Sequence, residues 1–380
     1  MSFCIAKILK VGGTAKQLSV FFVIISTDFI IFVAIMRTII IAIDSLKGCL
    51  SSAEAGRAAA CGAADTLPAA TSRVIPVSDG GEGMLAAFGR VMQATPVEVD
   101  VHDALMRPIR ARYALAADGT AIVEVAEACG LALIGSAERD IIRSTSYGVG
   151  ELIADALRRG CRQMIIGLGG TATSDSGRGM LEALNGIDLT GLNVTLASDV
   201  RNLLYGENGA AAVFAPQKGA TPEQVEELDR HARDFARQSA VAMGFDRSRQ
   251  PGAGAAGGLG YAFLQYFGAR MQSGAELLLS LLHLDELLDG ACCVITGEGR
   301  ADRQTLMGKL PFIIMQHARA KQVPVHLIAG QIADTDSLLT AGFTSVQSIN
   351  PQGLPLTEAL KPAVARANIR RTVAQLLVPD

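Results

Sequence analysis

Five short segments of this 380-residue chain set polar side chains among glycines, and four of them carry carboxylates, lysine or arginine. They are Asp44-Ser-Leu-Lys47-Gly, Asp79-Gly-Gly-Glu82-Gly, Gly167-Leu-Gly-Gly-Thr-Ala-Thr-Ser-Asp175-Ser-Gly, Thr296-Gly-Glu298-Gly-Arg300-Ala-Asp302 and Ala329-Gly330-Gln331. Any one of them reads equally as a helix cap or a tight turn. Their recurrence points to one chemistry: backbone N–H groups brought close to phosphate, with hard oxygen donors for Mg²⁺.

Other chemistries are weakly supported. Gly167-Leu-Gly169-Gly170-Thr-Ala172 follows an apolar run, but no convincing βαβ unit with a strand-end acid follows it. Gly252-Ala-Gly254-Ala-Ala-Gly257 matches a dinucleotide fingerprint but follows Arg-Ser-Arg-Gln-Pro, where that fingerprint needs a strand. An NAD-dependent oxidoreductase is therefore only an alternative, and no stretch has P-loop spacing. No G-x-S-x-G elbow and no H-E-x-x-H pair occurs among the five histidines. His283 and His326 lie in apolar runs and read as core residues. The seven cysteines lack C-x-x-C spacing, and Cys292-Cys293 reads as part of a buried strand of reduced thiols.

These loops need elements to hold them. Arg37–Asp44 is a continuous β-branched run, the mark of a parallel strand buried on both faces. Ser51 and Glu54 have capping-box spacing ahead of an Ala-rich helix to Thr66. The 71–84 segment repeats the order of strand, acidic glycine loop and helix. From about 96 to 125 the pattern alternates, as in antiparallel strands with Asp118-Gly119 as a hairpin turn. Ser146–Arg159 and Thr221–Met243 read as helices, the second with Pro222 in its first turn. Buried strands ending in glycine-rich loops return near 291 and 323. The fold class expected is α/β: a doubly wound, flavodoxin/Rossmann-like parallel-sheet domain from 36–87 plus 270–380, with a mixed α+β domain inserted at 88–269.

Composition agrees with that class. Aromatic residues make up 5% and Trp is absent, so Ala, Leu, Ile and Val must build the core. The net charge of −3 carries no basic footprint for nucleic acid, and the whole is cytoplasmic in character. Residues 1–35 differ: Ser19–Ile35 is strongly apolar but short for a span and interrupted by Asp28. They are expected to be an N-terminal extension, with Met36 as the natural start and no membrane role.

Taken in order, six blocks resemble the bacterial glycerate kinases that phosphorylate D-glycerate from ATP. They are IAIDSLKGCLSSAEA, IPVSDGGEGM, IIGLGGTATSDSGRGMLEAL, ASDVRNLLYGENGAAAVFAPQKGATPEQVEELD, PGAGAAGGLGYA and VITGEGRADRQTLMGKLP. The resemblance covers the chain from about Met36 onward. It implies a two-domain α/β enzyme with its site between the domains, ATP and Mg²⁺ as cofactors, and small-molecule partners only, the oligomeric state being open. Asp79, Glu82 and Asp199 are then assigned to metal binding or hydroxyl orientation, with Asp79 and Asp199 as the metal pair. Lys47, Asp44, Arg300, Glu298 and Asp302 are candidates for catalysis or for holding phosphate or the acid. Lys218 lies in a Pro-Gln-Lys-Gly-Ala loop that could close over a ligand. Gly169, Gly170, Asp175, Gly254, Gly257 and Gly258 would line the nucleotide. The expected product is 2-phosphoglycerate, with 3-phosphoglycerate as the other choice, in glycerate, glyoxylate or glucarate catabolism. One departure stands out: only Gly186–Leu196 fill a connection that is longer in the family, so a catalytically impaired relative that only binds ligand is the second alternative.

Overall fold

The structure, a computed structural model, describes residues 21–26, 29–33, 38–46, 48–78, 81 and 83–378. Lys47, Asp79, Glu82 and the expected start at Met36 lie outside the described residues. The strands are β1 (Phe21–Ser26), β2 (Phe29–Val33), β3 (Thr38–Ile43), β4 (Thr71–Val74), β5 (Thr95–His102), β6 (Pro108–Leu115) and β7 (Thr120–Glu124). They continue as β8 (Gln163–Gly167), β9 (Asn193–Ala197), β10 (Arg270–Gln272), β11 (Ala291–Ala301), β12 (Val325–Ile332) and β13 (Ser345–Ser348). β1 and β2 pair antiparallel with each other.

β3, β4, β11, β12 and β13 form one sheet in the order β13-β12-β11-β3-β4, with every pairing parallel. The unbroken apolar run of β3 is explained by its setting. Ile39, Ile41 and Ile43 pack under helices Ser52–Thr66 and Pro362–Leu376, whereas Ile40 and Ala42 face helices Leu310–Ala320 and Gly274–Leu281. A strand covered on both faces cannot alternate. Numbered within this sheet, the order is the flavodoxin-like 2-1-3-4-5, whose direction of winding reverses between β3 and β11. In folds of this kind ligands bind at such a reversal, which here lies beyond Ile43 and Gly297.

Helix Ser52–Thr66 starts where the sequence places it. Ser51 and Glu54 form the reciprocal capping box, so the cap belongs to Ser51 and not to Asp44, which accepts from the Ser45 N–H instead. Gly62 lies so close to the Arg370 carbonyl that any Cβ there would collide with it, and this lets the N- and C-terminal helices pack against each other.

The second sheet has the order β10-β9-β8-β7-β6-β5, parallel from β7 to β10 and antiparallel from β7 to β5. The Asp118-Gly119 turn joins β6 to β7, with Gly119 at φ 85°. Arg270–Gln272, on the C-terminal side of the expected division at 269/270, pairs in this sheet. The division expected at 87/88 falls inside helix Met84–Val91. Its Met84, Leu85 and Phe88 belong to one core with Ile40 and Ala42 of the first sheet and Ile122 and Ile165 of the second, so the helix serves both. A βαβ unit does follow Gly167, contrary to the sequence reading: β8, helix Arg178–Ala183 and β9 are parallel neighbours. The helix begins six residues past Ala172, so these glycines do not form its first turn. His283 is also corrected: its side chain is 71% exposed at a helix start, whereas His326 is partly buried and pairs with Ser345. No helix among the described residues is long and apolar enough to cross a membrane.

Candidate active site between two strand edges

The carboxyl edge of the five-stranded sheet supplies the first half of the site. Asp44 leaves β3 with its N–H bonded to the Gly297 carbonyl of β11, across the reversal point. Buried Ser52 ties the same edge together: its hydroxyl donates to the Ile43 carbonyl and accepts from the Val77 N–H, at 2.6 and 2.8 Å. Both acidic loops, after β3 and after β4, thus hang from one side chain. On β11, Glu298 is 7% exposed and accepts from the Thr305 hydroxyl and the Lys309 ammonium. Arg300 is exposed and pairs with Asp302, whose other oxygen accepts from the Gln304 N–H; Arg303 pairs with Asp334. The structure therefore brings Asp44, Glu298, Arg300 and Asp302 to one edge. Glu298 is committed to holding its own loop, while Arg300 stands in solvent.

The six-stranded sheet supplies the second half. Glu124, the last residue of β7, is nearly buried and accepts from the N–H groups of Gly83 and Leu85 at 3.0 and 2.9 Å. Those are the first N–H groups of helix Met84–Val91, a position that favours a carboxylate. The segment carrying Asp79 and Glu82 departs from Val77, tied to Ser52 at the edge of the first sheet, and reaches Glu124 at Gly83. Six residues span at most about 22 Å, so the two carboxyl edges lie within that reach of each other. Beside Glu124 in register come Gly167 of β8 and then Ala197 of β9, which leads to exposed Asp199.

Between them runs the loop after β8. Gly170 is exposed at φ 65°, and neither its N–H nor that of Gly169 makes a hydrogen bond among the described residues. Asp175 faces inward on its own loop: it accepts from the Ser146 N–H and hydroxyl and from the N–H groups of Gly177 and Gly179. Gly257 and Gly258, both at positive φ, would collide through a Cβ with the Thr173 carbonyl and with Ser176, and Gly254 with the Leu203 carbonyl. These glycines are explained by one loop crossing another closely. Lys218 is 5% exposed and donates to the Thr171 hydroxyl at 3.1 Å and the Thr173 carbonyl at 2.6 Å. Burial pushes its ammonium down to about 8, while Cys129 and Asp175 oppose that shift.

Sequence reasoning passed over Glu124, Ser52 and Lys309. A signal existed for Glu124, an acid closing an otherwise apolar strand. Among the described residues no three potential metal ligands cluster. Asp199, exposed at a strand end, is nonetheless an oxygen donor of the hard kind Mg²⁺ takes, and that ion commonly uses one or two carboxylates with phosphates and water.

A flavodoxin-like parallel sheet packed against a second, mixed sheet is a doubly wound α/β arrangement, in which ligands bind beyond the carboxyl ends of the strands. A family model described as "Glycerate kinase family" matches residues 39–190 and 187–378. The glycerate kinase of Bacillus subtilis (strain 168) is 39% identical over 356 residues, covering 86% of this chain and 93% of that protein. The glycerate 2-kinase of Escherichia coli (strain K12) is 37% identical over 372 residues, covering 88% and 98%. A crystal structure from Salmonella typhimurium LT2 assigned to glycerate kinase 2 superposes with a TM-score of 0.76 at 36% identity, covering 90% of this chain and 97% of that one. The chain belongs to the glycerate kinase family, a family of phosphotransferases. The family match breaks and overlaps at 187–190, where the sequence predicts the shortened connection.

Proposed function

We propose that this protein transfers the terminal phosphate of ATP to a hydroxyl of D-glycerate, giving 2-phosphoglycerate. The observation that carries the reading is the joining of the two sheet edges by one acidic loop, seated on Glu124, in a chain of this family. Phosphoryl transfer asks a protein for alignment and charge stabilisation more than for covalent chemistry. The site offers both kinds of group.

The unpaired N–H groups of Gly169 and Gly170 suit a phosphate or a carboxylate. Lys47 and Arg300 supply cationic partners for phosphate or the acid, from the first sheet. Asp79, Glu82 and Asp44 are the carboxylates assigned to the hydroxyl to be phosphorylated, one of which would orient it and take its proton. Mg²⁺, held by Asp79 and Asp199, would neutralise charge on the transferring phosphate. Asp175 and the glycines at 254, 257 and 258 would line the nucleotide through the loop after β8, which they also brace. The five-stranded and six-stranded sheets, joined by helix Met84–Val91 and not divided at 87/88 or 269/270, are read as the two bodies flanking the cleft, and the product as an intermediate of cytoplasmic organic-acid catabolism.

A coupled assay for ADP with ATP, Mg²⁺ and D-glycerate tests the activity, and the product's position is read by phosphorus NMR. ADP release that depends on D-glycerate supports the proposal; a folded protein that binds both ligands without turnover supports the impaired relative.

A further inference from the structure

We propose that Lys218 is a positioning residue whose buried ammonium holds the Gly169–Thr173 loop from beneath and lends it the positive potential that captures an anion. The anion is a nucleotide phosphate or the carboxylate of the acid substrate. This rests on the kinase reading of the same cleft, but it assigns Lys218 a different part from the contact with ligand that its loop first suggests.

The geometry supports an indirect role. Lys218 sits in a short 3-10 turn, Pro216–Lys218, and points under the loop after β8, where its two hydrogen bonds go to Thr171 and Thr173. Neither partner is a carboxylate. The charged or titratable groups that face it are the Cys129 thiol, on the turn Ala126–Cys129, and Asp175, on the loop itself. Asp175 is already occupied by four donors from Ser146, Gly177 and Gly179. The Cys129 thiol, pushed up to about 12 by burial, stays neutral. Arg139, beside Gly219, adds no negative charge. A buried ammonium without a directly bonded carboxylate is costly to keep. In the same loop, partly exposed Gly169 and exposed Gly170 have N–H groups that make no bond among the described residues. The same short loop thus holds a buried cation through Thr171 and Thr173 and carries two N–H groups with no bond among the described residues. An anion held there would complete the charge balance of Lys218 and favour its protonated form.

Proton linkage supplies a test that does not depend on turnover. Titrate ATP alone and D-glycerate alone into the full chain near pH 8.5, in two buffers of different ionisation enthalpy. Use wild type and Lys218→Met. The ligand that sits on the loop takes up a fraction of a proton on binding to wild type, and its affinity falls up to about tenfold per pH unit above the free lysine's titration. In Lys218→Met proton uptake vanishes, the affinity is at least about tenfold weaker at pH 7 by loss of one charge-assisted interaction, and it no longer varies over that range. Whichever ligand shows this identifies the anion. If Lys218→Met does not fold, proton uptake and the pH dependence of wild type still decide the matter. Binding of neither ligand to wild type, binding without proton uptake, or an unchanged affinity in Lys218→Met overturns the proposal. A failure of D-glycerate turnover with proton uptake on ATP intact would instead count against the proposed substrate.

Discussion

Glu124 and Lys218 show how two charged side chains can shape a site without facing its ligand. Glu124 stands nearly buried between a strand end and a helix start, and its two N–H partners anchor the loop bearing Asp79 and Glu82. Glu124→Ala should lower stability by about 2–3 kcal/mol, the worth of charge-assisted hydrogen bonds left unmade. It should also lower kcat/KM by about 10–100-fold, because a misplacement of order 1 Å costs that much. Thermal melts and steady-state kinetics check both. Asp79→Asn and Lys47→Ala should each depress turnover with little change in Tm; unfolding by either would mark it as structural. Lys218 adds a pH signature. Its folded-state value lies below the ordinary 10.5, so between about pH 8 and 10.5 the unfolded chain binds more protons than the folded one. Wild-type stability should therefore rise with pH across that window relative to Lys218→Met, as read from paired urea melts.

At the scale of elements, the site depends on how strands hand over to loops. Ser52 bridges the end of β3 to the start of the Asp79 loop, so Ser52→Ala removes two buried hydrogen bonds and strands an N–H and a carbonyl. We expect about 1–3 kcal/mol of lost stability and a raised KM, measured by denaturant unfolding and kinetics. Gly257→Ala should be worse for the opposite loop, since positive φ and the Thr173 carbonyl both reject a Cβ. Much of this layer was legible in the sequence. The continuous run before Asp44, the Ser51–Glu54 box and the Asp118-Gly119 turn each follow a local rule and stand where the pattern puts them. What sequence could not supply were contacts between distant segments. Gly254, Gly257 and Gly258 resemble a phosphate loop in one dimension, but their partners are Leu203, Thr173 and Ser176, which no periodicity connects to them. Lys218 reads as part of a loop that could close over a ligand until its bonds to Thr171 and Thr173 are seen. The βαβ unit after Gly167 escaped notice because its helix is only six residues long and starts late.

For the whole molecule, one layer joins two sheets. Helix Met84–Val91 and helix Gly274–Leu281 place Phe88, Ala275 and Leu278 in a core shared with Ile40, Val294, Ile122 and Ile165. The pattern-based division at 87/88 cuts that helix because amphipathic periodicity says which face is buried and not against what. The shortened 186–196 connection leaves β8 and β9 paired in register from Gln163–Asn193 to Gly167–Ala197. The strand ends from which Gly169 and Asp199 follow are therefore formed and in register. The most direct test is a single assay on the purified full chain with ATP, Mg²⁺ and D-glycerate, ADP and product being followed together. The account predicts ADP and 2-phosphoglycerate formed in equal amounts, with no ADP released when D-glycerate is left out. A folded chain that releases no ADP, or that releases it equally without D-glycerate, would contradict it.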